Sequence, residues 1–313
     1  MINWINNIFG NFQLFNRKTT LQSTARERLY YEKLPPLIYA IGDVHGRLDL
    51  LEELEEKISK DIKKEKKDAL IIMLGDYIDR GLDSSLLIDH LLSPPPPSST
   101  RLCLAGNHEE AMLAFIENPK NHTNWLDFGG YETLLSYGFS RNDLNRNEIK
   151  KRGFIHRINS YIPDEHRDFL KQLPIVAVFP EYLFVHAGVR ADVTLEEQSD
   201  YDLLWIRKEF LDHYDNDKWR GCWDREQSDQ RRLKEERQGR STYDKASTDK
   251  QEQPAQREQL EELTIVHGHT PVKEVFISPF RINVDTSAYL TNNLSAIKIV
   301  NGEIAGTLST SNN

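Results

Sequence analysis

Apolar and polar positions come in alternating blocks along the first third of the chain. The stretch PPLIYAIGDVHG carries the apolar run Leu37 to Ile41 and breaks off at Gly42-Asp43. An unbroken apolar run of that length predicts a strand buried on both faces. In the next segment, LDLLEELEEKISKDI, residues Leu50, Leu51, Leu54 and Ile58 fall on one helical stripe. The order then repeats. DALIIMLGDYIDRG predicts a second strand and DSSLLIDHLL a helix capped by Asp83 or Ser84; RLCLAGNHE predicts a third strand, running into the helical EEAMLAFIE. Between them SPPPPSST reads as an exposed polyproline-like loop. Strand–helix–strand alternation predicts parallel βαβ units, whose ligands bind beyond the carboxyl ends of the strands.

The middle of the chain is mostly helical in pattern, with TNWLDFGGYETLLSYG and then PDEHRDFLKQL, opened by Pro163. Strand character returns in IVAVF and YLFVHAGV, and later in LTIVHGHTPV, FRINVDTSAYL and NLSAIKIVNGEIAGTL, where Asn301-Gly302 is a hairpin turn. Strands gathered late in the chain predict a second sheet packed on the first, hence an α/β fold. Residues 212–262 break the pattern: nearly half are charged and aliphatic core formers are scarce. Such a segment buries too little apolar surface to offset its ordering entropy, so it reads as a flexible charged insertion and a docking arm for a partner. Trp219, Cys222 and Trp223 are its local anchor, and Leu233 to Gln238 a transient helix. Residues 1–34 read as an amphipathic N-terminal tail, with the main domain running from 35 to 308.

Composition narrows the class. A net charge of −9 and a pI near 5.6 argue against a nucleic-acid binder, which would carry a basic face. Two cysteines, Cys103 and Cys222, exclude a disulfide framework. No apolar run approaches the ~20 residues that span a bilayer, and no basic region precedes the apolar residues at the N-terminus. The expectation is a soluble cytoplasmic protein without an integral membrane segment.

The strand ends carry the chemistry. GDVHG supplies Asp43 and His45; GDYIDRG supplies Asp76, Asp79 and Arg80; GNHEE supplies Asn107, His108 and Glu109; FVHAGV supplies His186; VHGHTP supplies His267 and His269. A single Gly-Asp after a strand is ordinarily a turn, and a single histidine ordinarily a structural hydrogen-bonding residue. Five such clusters at five strand ends point to a shared site. Carboxylate, imidazole and amide oxygen without thiolate suit manganese or iron, and also zinc. Two ions ~3.5–4 Å apart require a shared anionic ligand and can together activate water and polarise a phosphoryl oxygen. Arginine suits the phosphate because its planar fork binds two oxygens.

These motifs closely resemble the PPP family of metal-dependent serine/threonine phosphatases, within the calcineurin-like metallophosphoesterases. The family pattern GDxHG, GDxxDRG, GNHE is met without substitution, and the resemblance continues through VHAG and GHTP over roughly residues 36 to 308, less the insertion. GHTP and LLWIRKEF are similar to the bacterial and phage members. The resemblance implies an αββα sandwich: two mixed β-sheets flanked by helices. It also implies two divalent metal ions, manganese favoured, with Asp43 and His45 on the first, Asp76 bridging, and Asn107, His186 and His269 on the second. His108 is implied as general acid, oriented by Asp79, while Arg80 and Arg207 clamp the phosphate with help from Asn107. Tyr289 falls near the phosphate, although DTSA departs from the usual bacterial DTGA at Ser287. With Pro271 where a wider-family histidine would stand, His267 reads as structural, and Glu109 as a hydrogen-bond acceptor. His90, His122, His156, His166 and His213 match no motif and read as exposed or capping.

The activity this implies is hydrolysis of phosphoserine or phosphothreonine in proteins by in-line attack of a metal-bound hydroxide. The alternatives are a symmetrical diadenosine tetraphosphatase, a small phosphomonoesterase, or a scaffold without catalysis. The scaffold has no use for His108, Arg80 and Asp79.

Overall fold

Regular structure begins earlier than the hydropathy pattern predicts. In the computed structural model, which describes residues 26–311 apart from 152, 216–259 and 261–262, Arg28–Tyr30 forms an edge strand (β1) inside the stretch read as a tail. The strand is short, and only Leu29 is buried, so it leaves no apolar block in the sequence. Its partner is Val176–Val178 (β5), in parallel register.

The three apolar runs form Leu37–Ile41 (β2), Ala69–Met73 (β3) and Ser99–Cys103 (β4), all parallel as expected. They are linked through Leu48–Glu65 (α1) and Ser84–Leu92 (α2), and β4 runs into Asn107–Glu117 (α3). Helix α1 buries the stripe anticipated from its spacing, extended by Ile62. Alternation along these strands sets the layers. Leu37, Tyr39 and Ile41 face the helices, as do Ala69, Ile71 and Met73. Ile38, Ala40, Leu70 and Ile72 face the other way and meet Ala177, Phe184, Val266 and Ile282 of the second sheet. The result is two mixed sheets packed face to face with helices outside, the αββα arrangement of the calcineurin-like metallophosphoesterases.

The second sheet has the order β1-β5-β6-β7-β9-β8, with Tyr182–Val185 (β6), Thr264–His267 (β7), Phe276–Ile277 (β8) and Arg281–Asn283 (β9). The last two strands correct the expectation that the late strands form that sheet. Ser295–Val300 (β10) and Glu303–Ser309 (β11) form the Asn301-Gly302 hairpin and extend the first sheet, β10 lying antiparallel to β2. Both turn residues have positive φ, 50° and 88°, as such a tight hairpin requires. A hairpin pattern specifies its own turn but not the sheet edge it joins.

Between α3 and β5 lie a 3-10 turn at Thr123–Phe128 and four helices, Gly130–Ser136 (α4), Arg146–Ile149 (α5), Gly153–Tyr161 (α6) and Asp164–Gln172 (α7). Asp200–Trp205 (α8) and Lys208–Tyr214 (α9) follow β6. Helix α9 also moves the edge of the charged segment. Tyr214 is buried, Asp215 pairs with Arg281, and Leu260 is in the core, so these three residues inside the range read as the insertion are packed into the domain. Trp219, Cys222, Trp223, the 233–238 helix and the first 25 residues lie outside the described residues. No helix among the described residues is long and apolar enough to cross a membrane.

Candidate metal centre

The strand-end motifs converge on one rim of the sandwich. Asp43 and His45 follow β2, Asp76 follows β3, Asn107 and His108 open α3, His186 follows β6 and His269 follows β7. Two sets of buried side chains bring their donor atoms within 4.8 Å of one another: His45, Asp76 and His108, and Asp76, His186 and His269. Asp76 belongs to both. Its Oδ2 lies 3.5 Å from His45 Nε2, and its Oδ1 lies 3.4 Å from His186 Nε2. Asn107 Oδ1 joins the second set, 2.8 Å from His186 Nε2 and 3.0 Å from His269 Nδ1.

The donor chemistry fits cations. His45 Nδ1 sits 2.8 Å from the Ile78 carbonyl and His186 Nδ1 sits 2.9 Å from the Leu74 carbonyl, so each Nδ1–H donates outward. A neutral imidazole then has only a lone pair at Nε2. Burial holds both rings below the usual histidine pKa, which keeps them neutral. Both Nε2 lone pairs thus face carboxylate or amide oxygens, acceptor against acceptor, an arrangement that a positive ion between them satisfies. The carboxylates point the same way. Asp43 is raised well above the usual range by burial, then by the charges of Asp285 and Asp76. Asp43 is in neither set: both its oxygens accept the backbone N–H of His269, at 3.2 and 3.1 Å.

Local backbone explains why these residues can approach so closely. Gly106 lets the start of α3 lie against Asp76, since a Cβ there would come within 2.3 Å of the Asp76 backbone nitrogen and Oδ1. Glu109 accepts the N–H groups of Asp76 (2.9 Å), Tyr77 (2.8 Å) and Gly106 (2.9 Å), which pins the two motifs together. That is the acceptor role expected for it.

His108 differs from the other site histidines. Its Nδ1 is 2.6 Å from Asp79 Oδ2, and its Nε2 is 3.5 Å from Arg80 Nη2. Burial, with the Arg80 and Arg207 charges, outweighs Asp76 and holds the His108 pKa below the usual histidine range, so any positive charge on Nε2 depends on an anion bound beside it. Arg80 lies over the Tyr289 ring, 4.4 Å from its centroid, and Tyr289 meets His45 edge-on. Arg207 is exposed, and its Nε–H donates to His269 Nε2 at 2.9 Å. All the sequence-derived candidates therefore gather at one rim.

Three further residues escaped sequence reasoning. Asp285, after β9, is buried beside the centre and raised to about 6 by burial, with Asp76 adding to the rise. Its signal was the same as the others, a carboxylate at a strand end, but β9 is only three residues long and includes Arg281 and Asn283. Trp125 and Thr133 both bond to Asp79. Among the unmatched histidines, His90 pairs with buried Glu55 at 2.7 Å, and His166 is buried between Tyr137 and Asp89. These two are internal partners of acidic or hydroxyl groups, not exposed or capping residues. His267 accepts from Arg281 and packs against Phe210, a structural role.

Comparison with known proteins agrees with this arrangement. Residues 36–280 match the family model of the calcineurin-like phosphoesterases. The chain is 24% identical to the asymmetrical bis(5′-nucleosyl)-tetraphosphatase PrpE of Oceanobacillus iheyensis, over 86% of this chain and 91% of that protein. It is 22% identical to the protein of the same name from Halalkalibacterium halodurans, over 82% and 88%. A solved structure provisionally named a diadenosine tetraphosphatase superposes with a TM-score of 0.54 at 16% identity, over 92% of this chain and all of that one. A mutant of a cold-active protein tyrosine phosphatase gives 0.50 at 17% identity, over 96% and 91%. With its sandwich, its rim of aspartates and histidines and a match over most of its length, the chain belongs to the calcineurin-like phosphoesterase family.

Proposed function

We propose that this phosphoester hydrolase removes phosphate from phosphoserine or phosphothreonine side chains of proteins. The observation that carries the reading is His108, buried, backed by Asp79 and adjoining Arg80. An alkoxide leaving from such an ester is a strong base and needs a proton as the bond breaks; a positioned acid contributes about 10²–10⁴-fold. With Asp79 keeping Nδ1 occupied, His108 would present Nε2 on the side of the phosphate clamp, take up a proton there once the anionic phosphate offsets the Arg80 charge, and give it to the departing alkoxide. Arg80 and Arg207 bind phosphate oxygens, Tyr289 supports the Arg80 guanidinium, and the Asn107 amide contributes a further contact. Asp43 and His45 would hold one divalent ion and Asn107, His186 and His269 the other, with Asp76 shared and manganese the favoured metal. When bound, the pair supplies a nucleophilic water near neutral pH and polarises the phosphoryl oxygen.

The second reading, cleavage of dinucleoside tetraphosphates, is favoured by the names of the relatives that match most of the chain. In that reaction the departing group is a nucleotide phosphate, a stable anion with less need of an acid. The test is a panel of a phosphothreonine peptide, diadenosine tetraphosphate and p-nitrophenyl phosphate, offered to the manganese-loaded full chain. The peptide should turn over fastest, exhaustive chelation should abolish all three activities, and His108→Asn should lower kcat on the peptide without loss of metal. Turnover of the dinucleotide alone defeats the protein-phosphatase reading; activity that survives chelation defeats the metal-dependent one.

A further inference from the structure

Asp79 and Arg80 occupy left-handed backbone, with φ of 74° and 69°. For residues with a Cβ this conformation costs about 1–2 kcal/mol each and persists only where neighbours enforce it. Apart from Ser84 Oγ of α2, which shares the Asp79 N–H at 3.1 Å, the neighbours come from one segment, the 3-10 turn and α4. Thr133 Oγ1 accepts the Asp79 N–H at 2.8 Å and donates to Asp79 Oδ1 at 2.6 Å, gripping the same residue by its backbone and its carboxylate. Trp125 Nε1–H donates to Asp79 Oδ2 at 2.7 Å, the oxygen that also faces His108. The Gly129 carbonyl accepts the Arg80 N–H at 3.2 Å. Phe128 meets the His108 ring edge-on, with centroids 5.2 Å apart. Trp125 is itself fixed: it is fully buried, packs on Phe115 at 4.9 Å, and lies so close under Gly130 that a Cβ there would come within 2.4 Å of the indole.

We infer that Trp125 and Thr133 are positioning residues that set the plane of the Asp79 carboxylate and, through it, the direction in which His108 presents Nε2. The inference rests on the proposed acid role of His108 and goes beyond it by locating what holds the acid in register. A carboxylate that loses one of its three donors can rotate, and the imidazole follows it. Thr133 cannot be replaced in this role by an isosteric apolar side chain, and Trp125 cannot be replaced by an aromatic ring without an N–H.

The experiment uses the full chain loaded with manganese and two monoesters, phenyl phosphate, whose leaving group needs a proton, and p-nitrophenyl phosphate, whose leaving group does not. Trp125→Phe and Thr133→Val should each lower kcat on phenyl phosphate by about tenfold, a fraction of what an acid is worth, with KM changed little. On p-nitrophenyl phosphate both variants should stay near the parent. Thr133→Ser, which retains the hydroxyl, should restore turnover, and neither substitution should cost anything further in a His108→Asn background. Equal losses on both esters, or added losses in that background, would make the segment merely structural and overturn the inference. A chain inactive on every ester defeats the proposed function instead. The positioning is then read, with diamagnetic zinc in place of paramagnetic manganese, from the low-field proton resonance of the His108 Nδ1–H bond to Asp79, identified by its absence in His108→Asn. Loss of the signal in Trp125→Phe and Thr133→Val supports the inference; an unchanged signal overturns it.

Discussion

His45, Asp76, Asp79, Arg80 and His269 all stand on left-handed backbone, with φ between 48° and 74°. The chain bends sharply after each strand so that the side chain, not the next strand residue, reaches the rim. Such strain is tolerated where surrounding bonds over-determine the conformation, as Glu109, Thr133 and Gly129 do here. Ser287 shows the same conformation, φ 56°, just before the short helix Ala288–Thr291 (α10), but it is not among the donors of the centre. This is the position where DTSA departs from DTGA, and a glycine would adopt that backbone without a Cβ penalty. Ser287→Gly is therefore expected to stabilise the fold by about 1 kcal/mol, read as a rise in Tm of roughly 2–4 °C by calorimetry. Legibility at this scale followed contiguity. Asp43, His45, Asp76, Asn107, His186 and His269 could be read because each lies in a compact motif at a strand end. Trp125 and Thr133 reach Asp79 across 46 and 54 residues, and no local pattern reports a contact at that separation.

Among the elements, the join between α9 and β9 has the clearest energetics. Arg281 bonds Asp215 through Nε at 2.8 Å and Nη2 at 2.6 Å, donates from Nη1 to His267 Nε2 at 3.2 Å, and lies over Phe276. Burial and the Arg281 charge push His267 down to about 3, so it stays a neutral acceptor. The pair is asymmetric: the Arg281 side chain is 5% exposed and that of Asp215 41%. Removing Asp215 strands a buried guanidinium, whereas removing Arg281 leaves a carboxylate that can turn to water. Asp215→Ala should therefore cost about 3 kcal/mol and Arg281→Met only about 1, the latter from the orphaned His267 acceptor. Urea unfolding of the two variants measures the difference, and equal losses would contradict it. Charge density alone placed the edge of the insertion at 212, because Phe210 and Tyr214 are a thin apolar signal among acidic neighbours. The parallel βαβ half was readable throughout, since its strands are buried on both faces and its helices carry regular stripes. β1, β8 and the sheet assignment of the final hairpin were not, being short or decided by long-range pairing.

Over the whole molecule, the donors divide between the two sheets. Asp43, His45, Asp76 and Asn107 extend from the first sheet; His186, His269 and Asp285 extend from the second. The apolar interior between the sheets holds their middle, but at this rim carboxylates face each other: burial and then the charges of Asp285 and Asp76 raise Asp43, and burial and then Asp76 raise Asp285. A ligand that binds only the folded chain stabilises it by about 2.7 kcal/mol at a hundred times its Kd. Manganese at that excess should thus raise Tm by about 5–10 °C over the chelated chain, and Asp76→Asn should abolish most of the rise. A chain whose Tm ignores manganese would show that ions do not bind there. The shared Asp76 then has a mechanical meaning besides its chemical one. It works like the pin of a clasp, and a chain without its cations should begin to part along this seam before the opposite edge loosens.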